Sequence, residues 1–515
     1  MNVAAQPHIH RGPLTIAVML ATLMQVIDMT IANVALPHMQ GSFAVTLDQI
    51  KWVLTSYIVA TAVATPTIGW LASRFGRRNV LLISIIGFTA FSFMVGSSVS
   101  IGEVVLARIL QGTAAAAFSP LAQAILLDAY PRERHGTAMA ILGVGILVGP
   151  ILGPILGGFL TQNYNWRWCF FINIPLGLAA FLMVWNFVPR QLNRQARNFD
   201  WIGFVLLSLG IGALQFTLDQ GSSKNWFAST EIVVAAVVAA VMLWMYPWYA
   251  SLKRHPFVSL KLFRDRNFSI ACIMMLFTGL VLLGTMSLLP PLMQELLNFP
   301  VFTTGLIMAP RGIGALLMML LVGRLIQRVN PRFILVFGLL TNVFALFEMS
   351  RFTLQVDPFF IIWTGFLQGM ALGMIFVPLA TVAFSTLPSR LRNEATPIYN
   401  LIRNVGASIG ISIVFTLLSR NAQINHAALA AKFTVYSERL SFFLHTVPLP
   451  RDMALALLNG EITRQSVLIG YNDDFMLMSA LMLLLLPLPF LMHYRYGSES
   501  PREETSNEGS EAAME

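Results

Sequence analysis

The sequence predicts an all-α polytopic membrane protein with fourteen transmembrane helices, and three observations carry that expectation. Of 515 residues, 56% are hydrophobic and 11% charged, whereas a soluble domain carries about 25% charged residues. Apolar stretches of roughly 18–25 residues recur, each matching the ~20 residues that cross the hydrocarbon as a helix. Basic residues alternate between the segments that join these stretches. In order, the spans are expected near 14–36, 50–72, 80–97, 101–127, 137–160, 169–188, 201–218, 232–249, 268–290, 303–322, 333–349, 359–384, 396–418 and 475–492.

One set of joining segments holds Arg11; Arg74, Arg77 and Arg78; Arg132 and Arg134; Arg190, Arg194 and Arg197; and Lys253, Arg254, Lys261, Arg264 and Arg266. The same set continues with Arg324, Arg328 and Arg332, then Arg390 and Arg392, then Arg495 and Arg502. The short segments of the other set hold only Lys51, Arg167, Lys224 and Arg351. By the positive-inside rule both termini are cytoplasmic, as an even span count requires. The net charge of +9 is thereby explained by the inner face, and no nucleic-acid partner is expected. Cys169 and Cys272 lie far apart in apolar segments, with neither a disulfide framework nor a metal-ligand spacing. The N-terminus has no secretory pattern, so the first apolar stretch is read as a retained span.

In span one, Asp28 stands inside the apolar run "ATLMQVIDMTIANVALP". Hydrocarbon penalises a carboxylate by several kcal/mol unless it is paired, solvated or protonated. Asp28 lies about nine residues from the outer end of its span, or roughly 13 Å at 1.5 Å per residue. In span four, Arg108 lies about six residues from the outer end, roughly 9 Å deep by the same rise. Opposite charges at similar depth point to a pair, or to one that forms in a single conformation. Apolar surroundings favour the neutral acid and a nearby arginine the ionised one, so a helix movement that changes their separation would bind or release a proton. The competing reading is a static bridge that fixes helix packing.

Span five carries Gly145, Gly149, Gly153 and Gly157 at four-residue intervals, a stripe that permits close helix approach. Pro150 and Pro154 each remove a backbone hydrogen bond and bend the helix. Spans ten and thirteen embed Arg311 and Arg403. Together with Gln25, Asn33, Gln111 and Gln368 they are candidates for lining a substrate cavity. Three embedded arginines against one clear embedded acid make the interior lean positive, which favours weakly acidic or neutral amphiphiles over multivalent cations.

Two echoes divide the chain. "GWLASRFGRR" (69–78) and "GRLIQRVNPR" (323–332) share Gly, Leu, Arg and Arg at matching offsets, 254 residues apart; "LQGTAAAAFSP" (110–120) and "LQGMALGMIFVP" (367–378) recur 257 apart. They fall at matching places if spans seven and eight are an insert. The organisation expected is a cytoplasmic N-terminus 1–13, a six-helix bundle 14–190, two inserted helices 200–250, and a second six-helix bundle 266–496. Within the second bundle lies a long outer segment, 420–474, with helix-like apolar spacing, and an acidic, disordered tail 497–515 follows. Parallel six-helix repeats about a membrane-normal axis are a transporter architecture, with the substrate site at the repeat interface.

Several motifs then carry a family resemblance. "IDMTIANVALP" (27–37), "GWLASRFGRRNVLL" (69–82), "LARILQGTAAAA" (106–117), "GVGILVGPILGPILGG" (143–158) and "WRWCFFINIPLG" (166–177) stand in order. With them the chain resembles the major facilitator superfamily, and within it the fourteen-helix drug–proton antiporters of the EmrB/QacA type, nearest the EmrB-like exporters of Gram-negative inner membranes. The resemblance implies export of amphipathic compounds against proton entry by alternating access, with Asp28 and Arg108 in proton coupling. It implies conformational roles for Gly69, Arg74, Gly76, Arg77 and Arg78 of the loop motif and for the glycines and prolines of span five, whose interface would seal the cavity. It also implies an EmrA-like periplasmic adaptor, for which 420–474 is a candidate dock, and a TolC-like outer-membrane channel. One position departs from the pattern: Ser73 stands where the loop motif carries an acid. No P-loop, HExxH pair or nucleophile–base set points to an enzyme, and no cofactor is expected. A proton-coupled uptake or exchange transporter of the same fold and a non-transporting membrane sensor remain as alternatives.

Overall fold

The computed structural model describes residues 10–493 apart from 132–133, 191–198, 222, 254–255, 327, 389–390, 434–437 and 447–449. The tail and the first nine residues lie outside this set, as do the side chains of Pro150 and Pro154. Among the described residues there are helices and no strands, as expected of a bilayer protein whose backbone groups must be satisfied within each segment.

The helices run α1 (Arg11–Phe43), α2 (Leu47–Ala64), α3 (Thr67–Phe75), α4 (Arg77–Ser97), α5 (Ile101–Ala115), α6 (Phe118–Ala129), α7 (His135–Asn163), α8 (Trp168–Phe171) and α9 (Asn173–Phe187). The insert is α10 (Trp201–Gly221) and α11 (Thr230–Leu252). Then come α12 (Arg266–Pro291), a π turn at Leu292–Leu296, α13 (Val301–Leu325), α14 (Pro331–Met349), α15 (Pro358–Ser385), α16 (Arg392–Ala430), α17 (Glu438–Thr446), α18 (Arg451–Leu484) and α19 (Leu488–Leu491). Twelve helices or helix runs among the described residues are long and apolar enough to span; α2 and α3, bent by 56°, make a thirteenth as a pair. The remaining apolar stretch forms the 29-residue α7.

Local chemistry sets the ends. Thr46 and Gln49 form a capping box at the start of α2, Ser100 caps α5, and Asp265 caps α12. Asn330 and Asp357 cap α14 and α15 just ahead of Pro331 and Pro358, where proline's missing N–H costs nothing. Gly76, at φ 85° between α3 and α4, occupies backbone space that a Cβ disfavours. The outward faces are apolar, with Ile83, Trp244 and Phe337 among many exposed hydrophobic side chains.

In the first bundle α1 packs on α7 and α9, α2 on α5, and α4 on α5 and α9; in the second, α12 packs on α16, α13 on α15, and α14 on α15 and α18. The insert touches both. Ser208 and Asp219 of α10 meet Val63 and Thr55 of α2, while Gln215 of α10 donates to Ser408 Oγ of α16 at 2.6 Å.

The bundles join at the end that carries the arginine-rich loops. Asn400 Nδ2 of α16 donates to Gln123 Oε1 of α6 at 2.8 Å, and Thr137 Oγ1 of α7 donates to the Gly323 carbonyl of α13 at 3.1 Å. Arg77 and Arg392 converge on Asp128, the latter at 3.2 Å. At the opposite end the outer half of α7 leaves Leu152, Ile155 and Phe159 exposed.

The outer segment has the helices that its spacing suggested, but they are continuous with the flanking spans. α16 has 39 residues and α18 has 34, both longer than the ~20 that the hydrocarbon needs. Each continues outward as helix, so that much of 420–474 is the extension of two spans with α17 between them. Its polar sequence keeps helical spacing, and a helix in water needs no break at the membrane boundary.

Candidate functional site

Asp28 and Arg108 are both fully buried and paired at 2.7 Å, Nη1 to Oδ2. The pair is the centre of a network. Gln111 Nε2 donates to Asp28 Oδ1 at 2.9 Å, and Asn173 Nδ2 donates to the same oxygen at 2.7 Å. Arg108 also donates from Nη1 to Gln111 Oε1 at 2.8 Å and from Nε to the Val53 carbonyl at 3.0 Å. Asn173 reaches Ser92 Oγ at 2.9 Å, and Ser92 donates to the Phe170 carbonyl at 2.9 Å. The guanidinium carbon lies 4.1 Å from the Tyr57 ring centre, a cation–π arrangement that tolerates a buried charge. Three donors thus converge on one acceptor-only group, the pattern an ionised carboxylate satisfies. Six elements, α1, α2, α4, α5, α8 and α9, supply the network.

The sequence reading had not assigned Asn173, Ser92 or Tyr57. Asn173 carried a signal, an amide in the otherwise apolar stretch 168–177. Its partner, however, is 145 positions away, and only the fold brings them together.

The glycine stripe of α7 lies against this same stretch of α1. A Cβ at Gly149 would stand 2.4 Å from Val26 Cγ1, one at Gly153 would stand 1.9 Å from Thr30 Oγ1, and one at Gly157 would stand 2.9 Å from Ile31 Cγ1. Gly145 meets Met19 at 3.3 Å. Thr30 Oγ1 also donates to the Gly149 carbonyl at 3.3 Å. The contact therefore brackets Asp28 from Val26 to Thr30.

The other candidates scatter. Gln25 accepts from Ser119 Oγ at 3.3 Å. Asn33 is exposed and bonds its own helix at the Met29 carbonyl. Gln368 Nε2 donates to Thr285 Oγ1 at 3.1 Å, leaving its buried Oε1 without a partner. Arg403 is half-buried and lies 3.4 Å from Asn404 Oδ1. Arg311 is buried: Nη2 reaches the Leu282 carbonyl at 3.4 Å, Nη1 has no hydrogen-bond partner, and no carboxylate among the described residues forms an ion pair with it.

The repeat has a geometric counterpart. Asp28, Arg108 and Gln111 correspond, 257 residues on, to Thr285, Gly365 and Gln368. Gln111 bonds Asp28, and Gln368 bonds Thr285. At the place of the arginine stands Gly365, whose added Cβ would lie 3.8 Å from Arg311 Cβ. The second bundle thus keeps the amide and a buried arginine, supplied from another helix, and has Thr285 where the first has the acid.

At the arginine-rich end, Gly69 is buried in α3, Arg74 is exposed with its guanidinium 5.7 Å from the Trp70 ring, and Arg78 lies 5.1 Å from the Trp185 ring. Ser73 donates to the Trp70 carbonyl of its own helix at 2.8 Å. The acid at this junction is Asp128 instead, bridging Arg77 and Arg392 across the two bundles.

The sequence model of the Major Facilitator Superfamily matches residues 18–411. The chain belongs to this superfamily. It is 34% identical over 491 residues to the multidrug export protein EmrB of Escherichia coli (strain K12), covering 94% of this chain and 96% of that one. It is 34% identical to the fatty acid resistance protein FarB of Neisseria gonorrhoeae over 93% and 95% of the two chains. Among solved structures it superposes on the human organic anion transporter MFSD10 with TM-score 0.60 at 14% identity, covering 94% and 100%. It superposes on the proton:xylose symporter XylE with TM-score 0.61 at 14% identity, covering 93% and 96%; both share the fold. The chain is therefore a multi-pass membrane transporter related to EmrB-type multidrug exporters, and not an enzyme.

Proposed function

We propose that this transporter is a proton-coupled antiporter that exports amphipathic compounds across a bacterial inner membrane by alternating access, with both termini cytoplasmic. The buried Asp28–Arg108 pair carries the reading. An ionisable pair within a membrane bundle is costly to bury and is a functional feature by default. Three donors converge on the carboxylate while the bundles are joined at the arginine-rich end. Rocking that draws α5 from α1 takes away the guanidinium, leaving an acid in apolar surroundings that then binds a proton. One charge crossing about 100 mV supplies roughly 2.3 kcal/mol, and a pH difference adds to it. Flux in vesicles with an imposed pH gradient tests the reading: substrate should move opposite to protons. Accumulation along with protons would instead show uptake, and binding without flux a sensor.

The second bundle supports a choice of substrate class. Arg311 presents a buried guanidinium nitrogen with no hydrogen-bond partner among the described residues, suited to a carboxylate or other weak acid on an apolar body. The relative named for fatty acid resistance is consistent with that choice. Loss of a charge-assisted hydrogen bond costs about 1.5–3 kcal/mol, so Arg311→Gln should weaken export of lipophilic acids roughly 10–100-fold. Export of quaternary ammonium dyes should change little. Equal losses for both classes would remove the anion-binding role.

The helical extension of α16 and α18 is the candidate dock for a periplasmic adaptor that links the pump to an outer-membrane channel. Removing residues 425–465 should abolish adaptor capture while vesicle flux persists; capture that survives the deletion would place the dock elsewhere.

A further inference from the structure

Besides Asp28 and Asp200, which have cationic partners, Asp474 is a further buried acid among the described residues. It stands on α18 just before the apolar run 475–492, in the sequence "YNDDF". Its side chain is 1% exposed, and neither carboxylate oxygen has a hydrogen-bond partner among the described residues. No cation among them lies within ion-pair distance of it. Its surroundings are apolar on several sides. Tyr471, Phe475 and Met478 of its own helix are buried, and Phe475 lies 6.0 Å, ring to ring, from Phe352, which follows α14.

The charged groups at this level are few and peripheral. Asp473, next in the chain, is exposed and accepts from Asn421 of α16 at 3.4 Å. Glu295 is exposed on the π turn after α12. Glu348 and Arg351, at the outer end of α14, pair with each other at 3.7 Å. Arg420 is exposed on α16. α12 presents no charged side chain at this height. Burial without a donor or a cation penalises the ionised form, and Asp473 and Glu295 add negative charge at the rim.

One turn deeper, Met478 Sδ lies 3.7 Å from Thr285 Oγ1, which accepts from Gln368. Asp474 therefore sits above the polar set of the second bundle, between it and the outer aqueous phase.

We propose that Asp474 is a second proton-binding site, filled from the outer side. When α18 parts from α12 and α16 the carboxylate meets water and takes up a proton, forming one O–H bond. The neutral acid then permits the bundle to close over it, and the bond breaks to water when the bundle reopens. Asp473 and Glu295 raise the local proton concentration at the entrance. Its role in transport rests on the antiporter reading above; its protonation does not.

Two measurements test this. In the purified full chain at neutral pH, infrared difference spectra should show a protonated-carboxyl band that disappears in Asp474→Asn. Should Asn not be tolerated, Asp474→Glu should shift the band. A band present and unmoved in the variant, or no such band in the wild type, overturns the site. In vesicles held at a constant pH difference, wild-type flux should fall as the outer pH rises, whereas Asp474→Asn, neutral at every pH, should keep its low-pH rate throughout. The same pH profile in both proteins overturns the role in transport. Absence of gradient-driven flux in the wild type would instead defeat the antiporter reading, leaving the infrared result to judge the site alone.

Discussion

Asp28→Asn should lower proton-driven flux by at least about 100-fold while leaving the protein inserted and folded. The expected scale is that of removing a positioned proton-transferring side chain, about 10²–10⁴-fold. The asparagine keeps the shape of the aspartate and one acceptor. Arg108 retains the Val53 carbonyl and Gln111 Oε1, and Asn173 retains Ser92. What is lost is the charge that balances Arg108 and the only group of the network that can gain and lose a proton. Removing one partner of a buried pair costs about 3–5 kcal/mol when nothing replaces it; here the retained acceptor and the two other arginine contacts reduce that cost. The check is flux in vesicles with an imposed pH gradient beside thermal unfolding of the purified variant. Transport at the wild-type rate would show that the pair is a structural bridge, as would equal loss of flux and of folded protein.

The site was legible to different depths. The fourteen helical stretches could be read because a bilayer leaves a chain few options, so length and apolarity decide. Asp28 and Arg108 could be read because each is a charge in an apolar run, and charge there is costly. The network around them could not. Asn173, Ser92 and Tyr57 are ordinary polar residues until α9, α4 and α2 are placed beside α1. Asp128 was missed for a different reason: it stands at the end of a span, where an acid ordinarily reaches water, and only its convergence with Arg77 and Arg392 gives it a role. That convergence also answers the departure at Ser73. The loop motif has lost its acid at that position, yet the junction of the two bundles still has a carboxylate, held on α6. Asp474 was missed because it falls at the edge of the outer segment, where an acid ordinarily reaches water, whereas α18 continues through it without a break and buries the side chain.

Gly149→Leu is expected to reduce transport more than tenfold with little change in the amount of folded protein. The reason lies in what the glycine touches. A Cβ there would come 2.4 Å from Val26 Cγ1 and 2.6 Å from Val26 Cβ, with the Val26 carbonyl carbon at 3.3 Å. The branched valine cannot clear that space by rotating its far end, so α1 must move away from α7 by a fraction of a turn's width. Overpacking of this kind costs about 1–3 kcal/mol, which a bundle of this size tolerates. The displacement falls two residues from Asp28, whose 2.7 Å contact with Arg108 and 2.9 and 2.7 Å contacts with Gln111 and Asn173 allow no such shift. Charge-assisted hydrogen bonds weaken steeply as they lengthen, so the coupling site is damaged first and the fold last. Gly158, five residues past the tightest contact at Gly153 and with no neighbouring atom within 4 Å of its Cβ position, is the internal control: Gly158→Leu should transport as the wild type does. Flux and monodispersity measured for both variants decide the matter. Similar behaviour of the two would mean that the stripe serves helix packing alone, with no bearing on where Asp28 is held.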